Sequence, residues 1–135
     1  MRFMMLMIPK GCETALPCAM PDPKVVETMM IYNKTLHKAG VLLYAEGLHP
    51  PSISSRVSFK NGKPHIMDGP FKGVKENLGG FWMIKVGSRA EAIEWAKKCP
   101  ASDEDIIEIR QVQEISDYPD DLRKLASGYD AMHTH

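Results

Sequence analysis

Arg2-Phe3-Met4-Met5-Leu6-Met7-Ile8 is the stretch on which the fold turns, because every residue after the arginine is apolar. In an extended strand, alternate side chains point to opposite faces. Phe3, Met5 and Met7 therefore point one way, and Met4, Leu6 and Ile8 the other. Such a strand needs apolar cover on both sides. Two further segments share the pattern. Val41, Leu43 and Ala45 oppose Leu42, Tyr44 and Leu48, while Phe81 and Met83 oppose Trp82, Ile84 and Val86. A secretory segment is the competing reading of residues 3–8, but its apolar run needs about 7–15 residues and a small-residue cleavage site. Here Pro9 and Lys10 follow directly.

Outward from these strands, Asp22 offers a helix N-cap with Pro23 in the first helical position. Val25, Met29, Tyr32, Leu36 and Ala39 then recur at helical spacing, and Gly40 supplies the stop. Residues 9–21 before this helix read as a loop. After the second strand, Pro50 and Pro51 end the run, and Arg56–Lys60 alternates. Asn61-Gly62 is a strong hairpin signal, and Lys63–Met67 is the return strand, with Pro64 suited to an edge. Residues 72–78 are polar, with one helical turn as an option. Ser88-Arg89-Ala90-Glu91 has the form of a capping box, with Ala92, Trp95, Ala96 and Cys99 as the buried stripe and Pro100 as the end. Asp105–Val112 reads as the last strand, and Pro119–Ser127 as a short helix in a polar extension.

The predicted order is β-α-β-hairpin-β-α-β, a ferredoxin-like split βαβ arrangement of the α+β class with an added hairpin. Residues 1–115 form the domain and residues 116–135 a C-terminal extension. Two main helices cover one face of a sheet whose central strands are apolar on both. A bare second face would exceed the roughly 300–600 Å² apolar patch that monomers carry. A second copy of the chain is the expected cover, and the extension folding back is the alternative.

Composition narrows the partners. The 135 residues include 17 basic and 17 acidic side chains, for a formal net charge of zero. That argues against nucleic acid and against an anionic membrane, which both rely on a basic footprint. No P-loop, dinucleotide fingerprint or nucleophile elbow is present, and no cofactor is expected. Cys12, Cys18 and Cys99 make an odd set without CxxC spacing, so reduced thiols in a cytoplasmic setting are expected. The ten methionines suit adaptable core filling or a forgiving apolar pocket.

Asp68-Gly69-Pro70-Phe71, followed by Lys75-Glu76-Asn77-Leu78-Gly79-Gly80-Phe81, resembles the signature of the YCII-related family, and more narrowly its DGPF-domain subgroup. Glu46-Gly47-Leu48, Glu91-Ala92-Ile93-Glu94-Trp95 and Ile107-Glu108-Ile109-Arg110 match as well. The resemblance implies a homodimeric α+β barrel with two sheets face to face, in a mostly bacterial and cytoplasmic family. It also implies enzymatic activity resting on a histidine and an aspartate, and a link in some relatives to extracytoplasmic-function sigma factors. Asp68 matches that aspartate. The histidine's place in the first helix is held here by about Met29, and His37 lies further along.

Asp68 is the candidate catalytic acid or base at the mouth of a cleft; as a purely structural residue it would cap its own turn. Glu46, in an otherwise apolar strand, is a candidate ligand-binding carboxylate, with Tyr44 two residues before it. His49 follows at the strand end. Lys75 and Glu76 would orient an anionic small-molecule ligand, a lysine beside a glycine-rich turn being able to meet an anion, or form a solvated surface pair. His65 lies three residues before Asp68, hence on the opposite face. His133 and His135 belong to the extension, and no metal-site spacing occurs. Two readings follow: a small-molecule enzyme or binder, and a non-catalytic dimeric regulatory module.

Overall fold

Asp22 and Pro23 open the first helix as the sequence requires: the Asp22 carboxylate accepts the Lys24 N–H at 2.9 Å, and Pro23 is the first helical residue. The computed structural model describes residues 1–11, 22–126, 128 and 132. Cys12, Cys18, His133 and His135 lie outside them, as does most of the loop predicted over 9–21. In chain order come β1 (Arg2–Ile8), α1 (Pro23–Lys38), β2 (Leu42–Gly47), β3 (Ser55–Lys60), β4 (Lys63–Asp68), β5 (Gly80–Lys85), α2 (Arg89–Lys97), β6 (Ile106–Gln111) and α3 (Asp120–Leu125).

Four strands form one antiparallel sheet in the order β2-β5-β1-β6. Each β-α-β half thus straddles a strand of the other half, which is the ferredoxin-like split βαβ arrangement. The central pair is β1 and β5, two of the strands with apolar residues on both faces. On one face Phe3, Met5, Met7, Trp82 and Ile84 pack against Tyr32 and Leu36 of α1 and Ala92 of α2. Tyr32 ties three elements together. Its ring meets Trp82 edge-on at 5.7 Å, and its hydroxyl donates to the Trp95 carbonyl of α2 at 2.8 Å.

Four local expectations are corrected. The register between β2 and β5 shifts between Leu42 and Tyr44, so Leu43 is the extra residue of a β-bulge. Leu42 therefore pairs with Ile84 and packs on the helix-covered core, not beside Tyr44, and Leu43 is exposed rather than turned inward with Val41 and Ala45. Along α1 the buried residues are Tyr32 and Leu36, with Met29 half-buried; Val25 and the C-cap residue Ala39 are exposed, because it is the second half of the helix that lies over the sheet. Residues 72–78 form no helical turn. The Ser88 hydroxyl accepts the Glu91 N–H at 3.2 Å, but the Glu91 carboxylate reaches past Ser88 to the Gly87 N–H at 2.8 Å.

The second sheet face carries Met4, Leu6, Ile8 and Phe81, all half-buried, with Met83 buried among them. The C-terminal α3 does not blanket it, since none of that helix's residues is buried. Glu114 anchors the preceding segment at one end of the face, accepting two hydrogen bonds from the Arg2 guanidinium at 2.7 and 3.0 Å. No helix of the described residues is long and apolar enough to cross a membrane.

Strands β3 and β4 form a separate two-stranded sheet. Asn61 and Gly62 both take positive φ (53° and 74°), the geometry of a type I′ turn, which suits the right-handed twist of the flanking strands.

Candidate functional site

The excursion from Leu48 to Gly79 leaves the main sheet between the C-terminal end of β2 and the N-terminal end of β5, where Gly47 pairs with Gly80. Its root is held by residues of the Asp68–Phe81 stretch. A Cβ at Gly69 would stand 1.7 Å from the Pro51 carbonyl oxygen, so only glycine fits. The Gly69 N–H donates to the Ser54 carbonyl at 2.7 Å. Phe71 is buried, and the Arg56 guanidinium lies over its ring at 4.2 Å, a cation–π contact. Asn77 is buried too, donating to the Val74 carbonyl at 3.0 Å and accepting from Arg56 at 3.5 Å. Packing thus accounts for Gly69, Phe71 and Asn77. Asp68, Lys75 and Glu76 remain exposed, and packing alone does not require them.

The structure places the sequence-predicted site residues at separate points. Asp68 does not cap its own turn. Its carboxylate accepts the Ser55 hydroxyl across the hairpin at 2.6 Å, and their strands pair there. His65 pairs with Ser58 and faces the other side of the hairpin. Tyr44 meets Phe81 edge-on at 6.0 Å on the second sheet face. Glu46 pairs with Phe81, and no described side chain bonds its carboxylate. His49 is exposed. Lys75 and Glu76 line a separate hollow of about 340 Å³ with Ile8, Pro9, Lys10, Glu104 and Ile106, where Lys10 pairs with Glu104.

Only Glu46 of this set borders the cleft at the root of the excursion. That cleft, of about 340 Å³, lies between α1 and the β2–β5 side of the sheet. Met7, Met29, Met30, Ala45 and Trp82 make its walls, and Gly47, Gly79 and Gly80 its end. Asn33 lines it as well, accepting the Trp82 indole N–H at 2.7 Å. By strand alternation Glu46 shares the face of Tyr44 and Phe81, so it stands at the rim. A mostly apolar hollow with a few converging polar groups is the form that small-molecule sites take. A larger hollow of about 450 Å³ lies between the start of α1 and the end of α2, but its carboxylate, Asp105, accepts the Lys10 and Ser102 amides.

Residues 1–116 match the YCII-related domain, most of the chain's length. The chain belongs to the YCII-related family. A stretch of 76 residues, 56% of the chain, is 30% identical to an uncharacterized protein of Rhizobium meliloti (strain 1021). The match spans 61% of that relative's length. Met29 is a wall of the cleft.

Sequence reasoning missed Asn33, Ser55 and Asn77. A buried tryptophan needs a partner for its N–H, which could have directed attention to the asparagine one turn beyond Met29. Ser55 becomes visible only once the hairpin register is known.

Two groups beneath the cleft have shifted acidity. Burial, and secondarily Cys99, holds the Tyr32 hydroxyl well above the ordinary tyrosine range. Burial, and secondarily Asp105, pushes the Cys99 thiol up to about 11. Both stay protonated near neutrality, so the half-buried Cys99 is a poor nucleophile. Among the described residues no cluster of His, Cys, Asp and Glu has the geometry to hold a metal ion.

Proposed function

We propose that the protein is a homodimer that binds a small molecule in the cleft at the root of the excursion. The molecule has an apolar body and a cationic or hydrogen-bond-donating group. The carrying observation is the apolar hollow with an unpaired carboxylate, Glu46, on its rim. Met29, Met30 and Trp82 would take the apolar body, and Glu46 the donor group. Asp68, Lys75, Glu76, Tyr44 and His49 join the site where the second copy's sheet packs on the apolar face, with Asp68 as the acid or base. The half-buried Met4, Leu6, Ile8 and Phe81 favour that packing.

A thermal-shift screen against metabolites tests the binding reading. A ligand at a hundred times its Kd adds about 2.7 kcal/mol, or roughly 8 °C for a chain of this size. The expected hits carry an amine, and Glu46→Gln removes their effect. Asp68→Asn leaves the dimer intact while weakening binding or turnover. Hits indifferent to Glu46→Gln would move the site elsewhere.

One observation favours a second reading, a non-catalytic dimeric module in regulation, including sigma-factor regulation. Asp68 is engaged by Ser55 at the base of the hairpin, away from the cleft of its own protomer. If no metabolite shifts the melting temperature of a folded dimer, this reading takes over.

A further inference from the structure

An indole N–H can only donate, and that of Trp82 donates to the Asn33 side-chain oxygen at 2.7 Å. This bond fixes which way round the Asn33 amide sits. Its oxygen is turned to a tryptophan that is only 5% exposed, so its NH2 group is the end left for other partners. Among the described residues that NH2 group donates only to the Met30 thioether, at 3.9 Å. A thioether is a weak acceptor. Asn33 and Met30 both line the α1 cleft.

Three features of the same cleft define what this amide can recognise. The first is its supply of donors. Among the described residues that line the cleft, only Trp82 and Asn33 have side-chain N–H groups, and that of Trp82 is taken by Asn33. Gly79, at the cleft's end, is committed on both sides. Its N–H donates to the Met7 carbonyl at 2.8 Å, and its carbonyl accepts the Leu48 N–H at 3.0 Å. The Asn33 amide is therefore the side-chain donor left for a ligand. The second feature is charge. Glu46 is the one charged side chain among the described residues lining the cleft, and Lys75 opens onto a different hollow. A ligand carboxylate would be desolvated beside Glu46 with no cation in these walls to offset it. The third is the wall itself. Met7, Met29 and Met30 stand around the Trp82 ring, and both thioethers and indole pack well on an aromatic ring.

We propose that Asn33 determines the specificity of the cleft by donating its amide N–H to an uncharged carbonyl oxygen of the ligand. Trp82 holds that amide the right way round. The ligand class is an aromatic amine that carries a neutral carbonyl: the amine meets Glu46 at the rim, the carbonyl meets Asn33 on the α1 wall, and the ring lies among the methionines. The inference rests on the cleft reading above and deepens it.

Four probes that share one aromatic body separate the two polar contacts. Phenylalaninamide has the amine and the neutral carbonyl, phenethylamine the amine alone, hydrocinnamamide the carbonyl alone, and phenylalanine the amine with a carboxylate. Their binding to the full chain is measured by calorimetry at about pH 6, below the ordinary range of an α-amine. Phenylalaninamide should bind most tightly, about three- to tenfold ahead of phenethylamine, the contribution of one neutral hydrogen bond. Asn33→Asp keeps an acceptor for the Trp82 N–H but removes the amide donor, and should bring those two probes within about twofold of each other. A purely structural asparagine would instead weaken all the probes alike. NMR of the wild type adds a readout that needs no variant: the Asn33 side-chain amide signal should move with phenylalaninamide and hydrocinnamamide and stay in place with phenethylamine. Amines that bind equally with or without a carbonyl, yet still require Glu46, overturn the role of Asn33 and leave the cleft reading in place. Phenylalanine matching its amide overturns the choice of an uncharged oxygen. Failure of all four to bind overturns the ligand class, and the metabolite screen with Glu46→Gln then decides the cleft reading by itself.

Discussion

β5 and β3 are both six-residue strands, the first apolar on both faces and the second on one, and their fates differ completely. Four of the six residues of β5 are buried, because it has a strand on each side and helices on one face. Every residue of β3 is exposed, because it has one neighbour and no layer above or below. The comparison teaches that a strand's pattern states a need for cover, whereas burial depends on what the topology brings to it. In the main sheet the need is met on one face by α1 and α2. In the hairpin it is unmet within the protomer, and that is where the chain has surface to offer.

Three measurements bear on this contrast, beginning with the largest expected effect. Ile84→Ala, at a fully buried position, should cost about 3–4 kcal/mol in urea denaturation, the range for emptying a core site. Ile66→Ala, the same change on the hairpin, should stay within about 0.5 kcal/mol when measured at concentrations too low for self-association. Equal costs for the two isoleucines would break the comparison outright.

Gly69→Ala sharpens it from the root. The added Cβ meets the Pro51 carbonyl, and relieving that clash should cost about 2 kcal/mol locally. Hydrogen exchange should quicken at the β3 and β4 amides while β1 and β5 keep their protection. Loss of protection in the main sheet would mean that root and core unfold as one unit.

The smallest effect concerns the core side. The Cys99 thiol is raised from 9.0 to about 11, chiefly by burial, so the folded state holds its proton where the unfolded state has lost it. Its contribution is therefore full below pH 9 and is lost as pH climbs toward 11. The group is only half-buried, so the drop should be modest. Comparing wild type with Cys99→Ala across that window reads the thiol together with the part of the Tyr32 shift that it causes, and a stability gap that widens with pH would contradict the sign.

The architecture was legible from residues 2–8 and 81–86 together with the capped helices, since period-2 and period-3.6 patterns report directly on buried faces. Asn61-Gly62 named the hairpin for the same local reason: its turn requires positive φ. The bulge at Leu43 was not legible. A run of apolar residues reads alike in either register, and the register is set by pairing with β5. The candidate site was legible only in parts. Glu46 stood out as a charge in an apolar strand, but Asn33 and Trp82 meet across 49 positions of sequence.

The sequence by itself determined which segments become strands and helices, and that the central strands demand cover on both faces, because these are local demands of the backbone and of alternating side chains. Tertiary structure alone decided where each carboxylate stands. Asp68 went to Ser55 and Glu46 to the rim of the α1 cleft because strand register and the excursion's root, not chain proximity, set where a side chain ends.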